Sequence, residues 1–232
     1  MIYVTGDIHG GVDIHKLSSK ELRSAGLSIN EDDYVIVCGD FGLVWDNKPE
    51  ERYWRKWLDE KPWTTLFVDG NHENFELLNT YPVEEWHDGR IHRISEKIVH
   101  LMRGNMFSLE GATFFTFGGA ASHDKEWRLP GLSWWPEELP SDEELRQAND
   151  VLTQCNNQVD YIISHCAPSL IQGRLNPTYK IDRLTEYFEY VRETVKFKRW
   201  YFGHYHEDVD FDDGFSCLLD RVLPLESDFR TL

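Results

Sequence analysis

The chain of 232 residues holds no apolar run near the length of about 18 residues that a membrane-spanning helix needs. Met1 leads straight into a strand-like segment and no leader is visible, so the cytoplasm is the expected location. Cysteine is scarce: Cys38, Cys155, Cys166 and Cys217 form no C-x-x-C pair, and three of them lie in or beside strand-like runs. That distribution suits reduced core thiols rather than a disulfide framework. Positive charge is short as well, with 24 Lys and Arg against 41 Asp and Glu, a net charge of −17. A protein that grips a duplex backbone needs a basic face, because counterion release drives that binding. The single basic cluster, Lys196-Phe197-Lys198-Arg199, is small. A processive nuclease and a membrane-surface enzyme are therefore disfavoured. Repeats and low-complexity tracts are also missing, and residues 226–232 read as a polar tail.

Core-forming material is plentiful. Hydrophobic residues make up 41% of the chain and aromatics 14%, and the length suits one domain over 1–232. Apolar runs at residues 1–5, 34–38 and 64–68 are continuous rather than alternating, as in strands of a parallel sheet covered on both faces. Helical patterns follow at about residues 12–25, Pro49–Asp59 and 74–80. Tyr161–Ser164 and Arg199–Phe202 read as further strands, with a helix near 182–194 between them that places Leu184, Phe188 and Val191 on one face. Ser141-Asp142-Glu143-Glu144 looks like a capping box opening another helix, to about residue 155. Shorter β-type runs occupy 90–94, 97–101, 105–109 and 113–118. Others at 209–211, 215–219 and 221–225 close the chain, with Asp212-Asp213-Gly214 as a turn. This order predicts an α/β fold, a layered sheet sandwich flanked by helices.

Five of these strands end in metal-binding side chains: Gly6-Asp7-Ile8-His9-Gly10, Gly39-Asp40, Gly70-Asn71-His72-Glu73, Ser164-His165 and Gly203-His204-Tyr205-His206. Asp7, Asp40 and Asn71 lie about thirty residues apart, the length of a βαβ unit. Ligands leaving the C-terminal ends of successive parallel strands converge on one rim of an open sheet. Together the segments supply Asp7, His9, Asp40, Asn71, His165, His204 and His206, a set too large for one ion and suited to two ions that share a carboxylate. Mixed imidazole and carboxylate ligation favours manganese, iron, zinc, cobalt or nickel over magnesium or calcium, with manganese the leading candidate. Taken singly, Asp-x-His and Gly-Asn-His are common turn sequences; five in this order are not.

The series D-x-H, G-D, G-N-H-[DE], H and G-H-x-H resembles that of the calcineurin-like metallophosphoesterases, from Asp7 to His206. The resemblance implies a four-layer α/β/β/α sandwich of two mixed sheets and a two-metal site that hydrolyses phosphoesters. It further implies that Asp7, His9, Asp40 and His206 hold one ion, that Asp40, Asn71, His165 and His204 hold the other, and that His72 is the catalytic acid. A hydroxide shared by the ions would be the nucleophile. Glu73 would orient His72 or an imidazole. Phosphoprotein phosphatases of this superfamily read G-D-x-x-D-R-G at the second block, whereas here it is Gly39-Asp40-Phe41-Gly42-Leu43-Val44-Trp45. The arginine that clamps phosphate there has no counterpart in register.

A replacement could come from the aperiodic segment 118–140, which reads either as a substrate-side loop or as a surface excursion pinned by its tryptophans. Its His123, Lys125 and Arg128 are candidate phosphate ligands, and Trp134 or Trp135 could stack on a ring. Glu84-Glu85 and Glu137-Glu138 read as solvated faces, and His15, His87, His92 and His100 as ordinary surface or packing residues. The leading expectation is a phosphatase or phosphodiesterase acting on small-molecule or peptide phosphoesters. A nuclease or nucleotide-polyphosphate hydrolase is the alternative, and an inactive binding or scaffold relative ranks third, since the ligand set is complete.

Overall fold

The computed structural model describes residues 1–225; the polar tail expected at 226–232 lies outside the described residues. Two sheets form. The first contains β1 (Ile2–Thr5), β2 (Tyr34–Val37), β3 (Thr64–Phe67), β4 (Val83–Trp86), β5 (Gly89–Arg93), β6 (Ile98–Leu101) and, far along the chain, β13 (Val222–Pro224). The second contains β7 (Asn105–Leu109), β8 (Ala112–Phe117), β9 (Tyr161–Ser164), β10 (Arg199–Phe202), β11 (Val209–Phe211) and β12 (Phe215–Cys217). The first runs β13-β1-β2-β3-β6-β5-β4, with β1, β2, β3 and β6 parallel. The second runs β11-β12-β10-β9-β8-β7, with β8, β9, β10 and β12 parallel.

Three apolar layers explain the continuous runs. Along β1, Val4 enters the layer between the sheets with Ile36, Leu66, Phe114 and Ile163, while Tyr3 turns to the opposite face. There it joins Val35, Phe67, and Leu22 and Leu58 from α1 (Ser19–Ser24) and α2 (Pro49–Asp59). The outer face of the second sheet is covered by α4 (Asp142–Gln154), α5 (Ser169–Leu175) and α6 (Arg183–Thr194) through Leu152, Ile171, Phe188 and Val191. The short α3 (Phe75–Leu78) lies between α2 and α4 in the chain. Covered on both faces, the central strands have no reason to alternate, and the expected α/β/β/α layering is present.

Some boundaries differ from expectation. The helix expected over 12–25 is broken: a 3-10 turn at Ile14–Leu17 ends at Ser18, which is extended (ψ 147°) and whose hydroxyl accepts from the Glu21 amide at 3.3 Å. The break lets Ile14, Leu17 and Leu22 all enter the core. α3 is only four residues long, started by Asn74, whose side chain accepts from Leu77 N. The Ser141 capping box is present, and Asp182 and Thr185 form a second one for α6. β4 was hidden in sequence by its two glutamates, which its place at the edge of the sheet tolerates; Glu84 pairs with Arg93 of β5 at 3.0 Å. α5 follows Pro168 and contains Gly173, too short and irregular to show a period.

Candidate metal centre at the junction of the two sheets

All five motif segments meet where the C-terminal ends of the parallel strands of both sheets come together. Asp7, following β1, is fully buried, and its two oxygens accept from the His204 amide, following β10, at 3.0 and 3.1 Å. Asp40, following β2, accepts from the His72 amide at 2.8 Å and lies 3.2 Å from His165 Nε2 and 3.3 Å from His9 Nε2. His206 brings Nε2 within 3.5 Å of Asp7 and is the exposed member of the set. The glycines of the motifs permit this crowding. A Cβ at Gly70 would sit 2.1 Å from the Asp40 carboxylate, and one at Gly203 would sit 2.0 Å from that of Asp7. His9, Asp40, His204 and His206 all have φ between 42° and 67°, a conformation costing a non-glycine residue on the order of 1–3 kcal/mol. The surrounding fold holds these strained residues in place.

The hydrogen bonds behind the candidate ligands show which of their atoms face inward. The Cys38 carbonyl can only accept, so the Nδ1 of His165, 2.8 Å away, donates to it. In the neutral ring Nε2 is then a lone pair, and it faces Asn71 Oδ1 and Asp40 Oδ1, both at 3.2 Å. His9 repeats the arrangement: Nδ1 meets the Asp13 carboxylate at 2.8 Å, and Nε2 turns to Asp40. Acceptors converging with no donor between them are the chemistry of a cation site. Among the described residues, Asp7, His9 and His206 could hold an ion, as could Asp40, His165 and His204, and also His9, Asp40 and His72. The residues present therefore fit a metal.

The titration behaviour agrees. Burial pushes the Asp7 carboxyl up, and the neighbouring Asp40 adds to it, against His165. Burial would raise Asp40 too, but His165 and His9 outweigh it and hold that carboxyl well below its usual range. Asp40 in turn overcomes the burial of His165 and raises its pKa to about 9, so a proton can occupy the place a cation would take. His204 and His72 are shifted the other way, chiefly by burial.

The remaining candidates divide. Arg128 reaches the site: its Nη2 lies 3.3 Å from His72 Nε2 while its Nε is held by Asp124 at 2.7 Å. His123 stacks against His204 and Tyr179, with ring centroids 5.4 Å apart in each case. Lys125 stays exposed beside Trp134. Trp135 is no stacking platform; it is buried against Trp45. Glu138 is likewise no solvated residue, because the 3-10 turn Pro136–Glu138 carries it inward to accept from the Ser122 amide at 3.0 Å. Glu73 does not orient an imidazole. It is fully buried and receives the amides of Phe41 and Gly42 at 2.7 and 3.3 Å, which fixes the turn that presents Asp40. Of the other histidines, His92 and His100 are buried together, with His100 and Arg103 both on Asp69, two residues before Asn71. Sequence reasoning missed Asp13 and Lys16, whose ammonium donates to the Asp7 carbonyl at 2.5 Å. Asp13 stands four residues after His9, a signal legible only once the intervening turn is known.

A description of the calcineurin-like phosphoesterase family matches residues 1–208. The chain belongs to that family. No match was found among curated proteins. Solved structures similar to it include a candidate 5′-nucleotidase from Staphylococcus aureus (13% identity, TM-score 0.46, 94% of this chain and 48% of that one). A phosphopantetheinyl hydrolase from Mycobacterium tuberculosis is similar at 17% identity and TM-score 0.44, over 94% and 89% of the two chains. A sulfate thiohydrolase from Thermus thermophilus is similar at 12% identity and TM-score 0.41, over 94% and 51%. The chain thus spans about half the length of the first of these.

Proposed function

We propose that this protein is a dinuclear, metal-dependent phosphatase or phosphodiesterase acting on small-molecule or peptide phosphoesters. The observation that carries the reading is the position of Asp40, whose two oxygens face His9 on one side and His165 on the other. Asp7, His9, Asp40 and His206 would hold one divalent transition ion, and Asp40, Asn71, His165 and His204 the other. Bound there, such ions supply charge neutralisation for a phosphate and a water acidic enough to attack it near neutral pH. Arg128, steadied by Asp124, is aimed to take phosphate oxygens with its planar fork and stands in for the arginine missing from the second motif block. Because Arg128 can only donate, His72 Nε2 accepts and the ring proton sits on Nδ1. Burial lowers the pKa of the ring, so the form that gives a proton to the leaving oxygen is the imidazolium, a stronger acid here than that of a free histidine. A cavity of about 350 Å³ next to His204, bordered by His123, Tyr179, Lys125 and Lys180, is the size of a small organic group. Glu126 and Asp182 also line it, so it is of mixed charge rather than a basic groove, which supports a small substrate over duplex nucleic acid.

Metal-free protein reconstituted in turn with Mn, Ni, Co, Zn and Mg, and assayed on phosphomonoesters, diesters, nucleotides and phosphopeptides, tests the reading. Asp40→Asn should lose activity and both tightly held ions. Two retained metals per chain with full turnover would refute the shared role of Asp40.

A further inference from the structure

The aperiodic segment touches the centre at a second point besides Arg128. Asn71 Nδ2 donates to the Ser122 hydroxyl at 3.3 Å, within the buried interior, while Asn71 Oδ1 faces His165 Nε2 at 3.2 Å. Ser122 is held in turn by Glu138, whose Oε2 accepts its amide at 3.0 Å. Both residues are buried, Glu138 to 2% exposure, deep enough that its carboxylate must serve a partner inside the protein. The start of the segment is pinned to the first sheet by Gly119 N donating to the Asp69 carbonyl at 2.8 Å. We propose that Ser122 and Glu138 are positioning residues that fix the Asn71 amide with its oxygen toward the cation site of Asp40, His165 and His204.

An amide has a donor end and an acceptor end of nearly equal shape, and a free asparagine can present either. The Nδ2 end turned inward would set a donor against a cation. Glu138 fixes where the Ser122 hydroxyl stands, because its Oε2 accepts the Ser122 amide at 3.0 Å, and in that place the Ser122 oxygen accepts from Asn71 Nδ2 at 3.3 Å. With Nδ2 spent on Ser122, Oδ1 is left to face the centre. The segment therefore contributes to metal affinity as well as to the substrate side.

This inference rests on the two-ion reading above, and the test separates the two. Stepwise Mn²⁺ binding to metal-free protein is measured by calorimetry, with melting of the metal-free form followed alongside. Ser122→Ala should weaken one of the two binding steps about 10- to 100-fold, the usual scale for an outer partner of a ligand. The other step and the metal-free melting temperature should hold. Ser122→Thr, which keeps the hydroxyl, should restore the weakened step, and Glu138→Gln should show a smaller loss in that same step. If Ser122→Ala does not fold, Glu138→Gln carries the comparison. Asn71→Ala is the control. Should it still bind two ions as the wild type does, the two-ion reading fails and the relay with it. Should it lose one ion while Ser122→Ala and Glu138→Gln bind both normally, or weaken both steps equally, the relay alone is overturned.

Discussion

His72 and Arg128 share one contact and make separable predictions. Replacing His72 with Ala should leave metal content near wild type and lower kcat by about 100-fold or more on substrates with poor leaving groups. The loss should shrink on p-nitrophenyl phosphate, whose leaving group hardly needs a proton. An equal loss on both, with metals retained, would remove the proton-donor role. Arg128→Ala should lower kcat/KM by roughly 1–3 kcal/mol, the scale of a charged hydrogen bond, with metal content unchanged. Unaltered kinetics across all substrates that turn over would make its approach to His72 incidental. The placement of Glu73 is instructive here. Its neighbour in the motif is the proposed proton donor His72, yet its oxygens serve backbone amides on another loop. Adjacency in sequence gave no warning of this, because the turn at Phe41–Gly42 was not visible there.

Among the elements, the strands that end in proposed ligands were the most legible. Their apolar runs are uninterrupted, and those of β1, β2, β3 and β10 lead into a glycine, so these and β9 could be read to within a residue or two. Helices were legible where caps and period agreed, as in α4 and α6, and failed where a local serine competed with the helix, as Ser18 does in the segment expected at 12–25. β8 and β9 carry a feature that a pH titration can examine. The Asp160 carboxylate, just before β9, accepts from Thr113 N and Oγ1 at 2.8 and 2.9 Å and pairs with Lys198 at 2.9 Å. Partial burial would raise its pKa, but Thr113 and Lys198 outweigh that and lower it. A carboxyl more acidic in the folded chain stabilises it above the unfolded value of about 3.9, and the contribution disappears as pH falls through the folded value. Asp160→Ala should therefore destabilise by roughly 1.5–3 kcal/mol at pH 7, and by progressively less in denaturant melts below pH 4. A pH-independent difference would exclude this origin.

At the scale of the molecule, Asp7, His9, Asp40 and Asn71 of the proposed ligand set follow strands of the first sheet, and His165, His204 and His206 follow strands of the second. An ion bound there joins them, and anything that binds only the folded form raises its stability. Adding Mn²⁺ at about 100 times its dissociation constant to the metal-free protein should stabilise it by about 2.7 kcal/mol per site, seen as a rise in melting temperature by calorimetry. A melting temperature indifferent to Mn²⁺ would argue against a site at this junction. The layering was legible because both sheets are covered on both faces, whereas the contact between them was not, since Asp7 and His204 are 197 residues apart.

That separation has a consequence in time. As the chain leaves the ribosome, the strands that carry Asp7, Asp40 and Asn71 emerge early, His165 follows with β9, and His204 and His206 come only after residue 200. Until β8 and β9 bring Phe114 and Ile163, the inward face of the first sheet, with Val4, Ile36 and Leu66, lacks its cover. Capture of an ion at this junction should consequently be among the last events of biosynthesis; a nascent chain stalled before β8 should be sticky and chaperone-dependent, and one stalled before β10 inert.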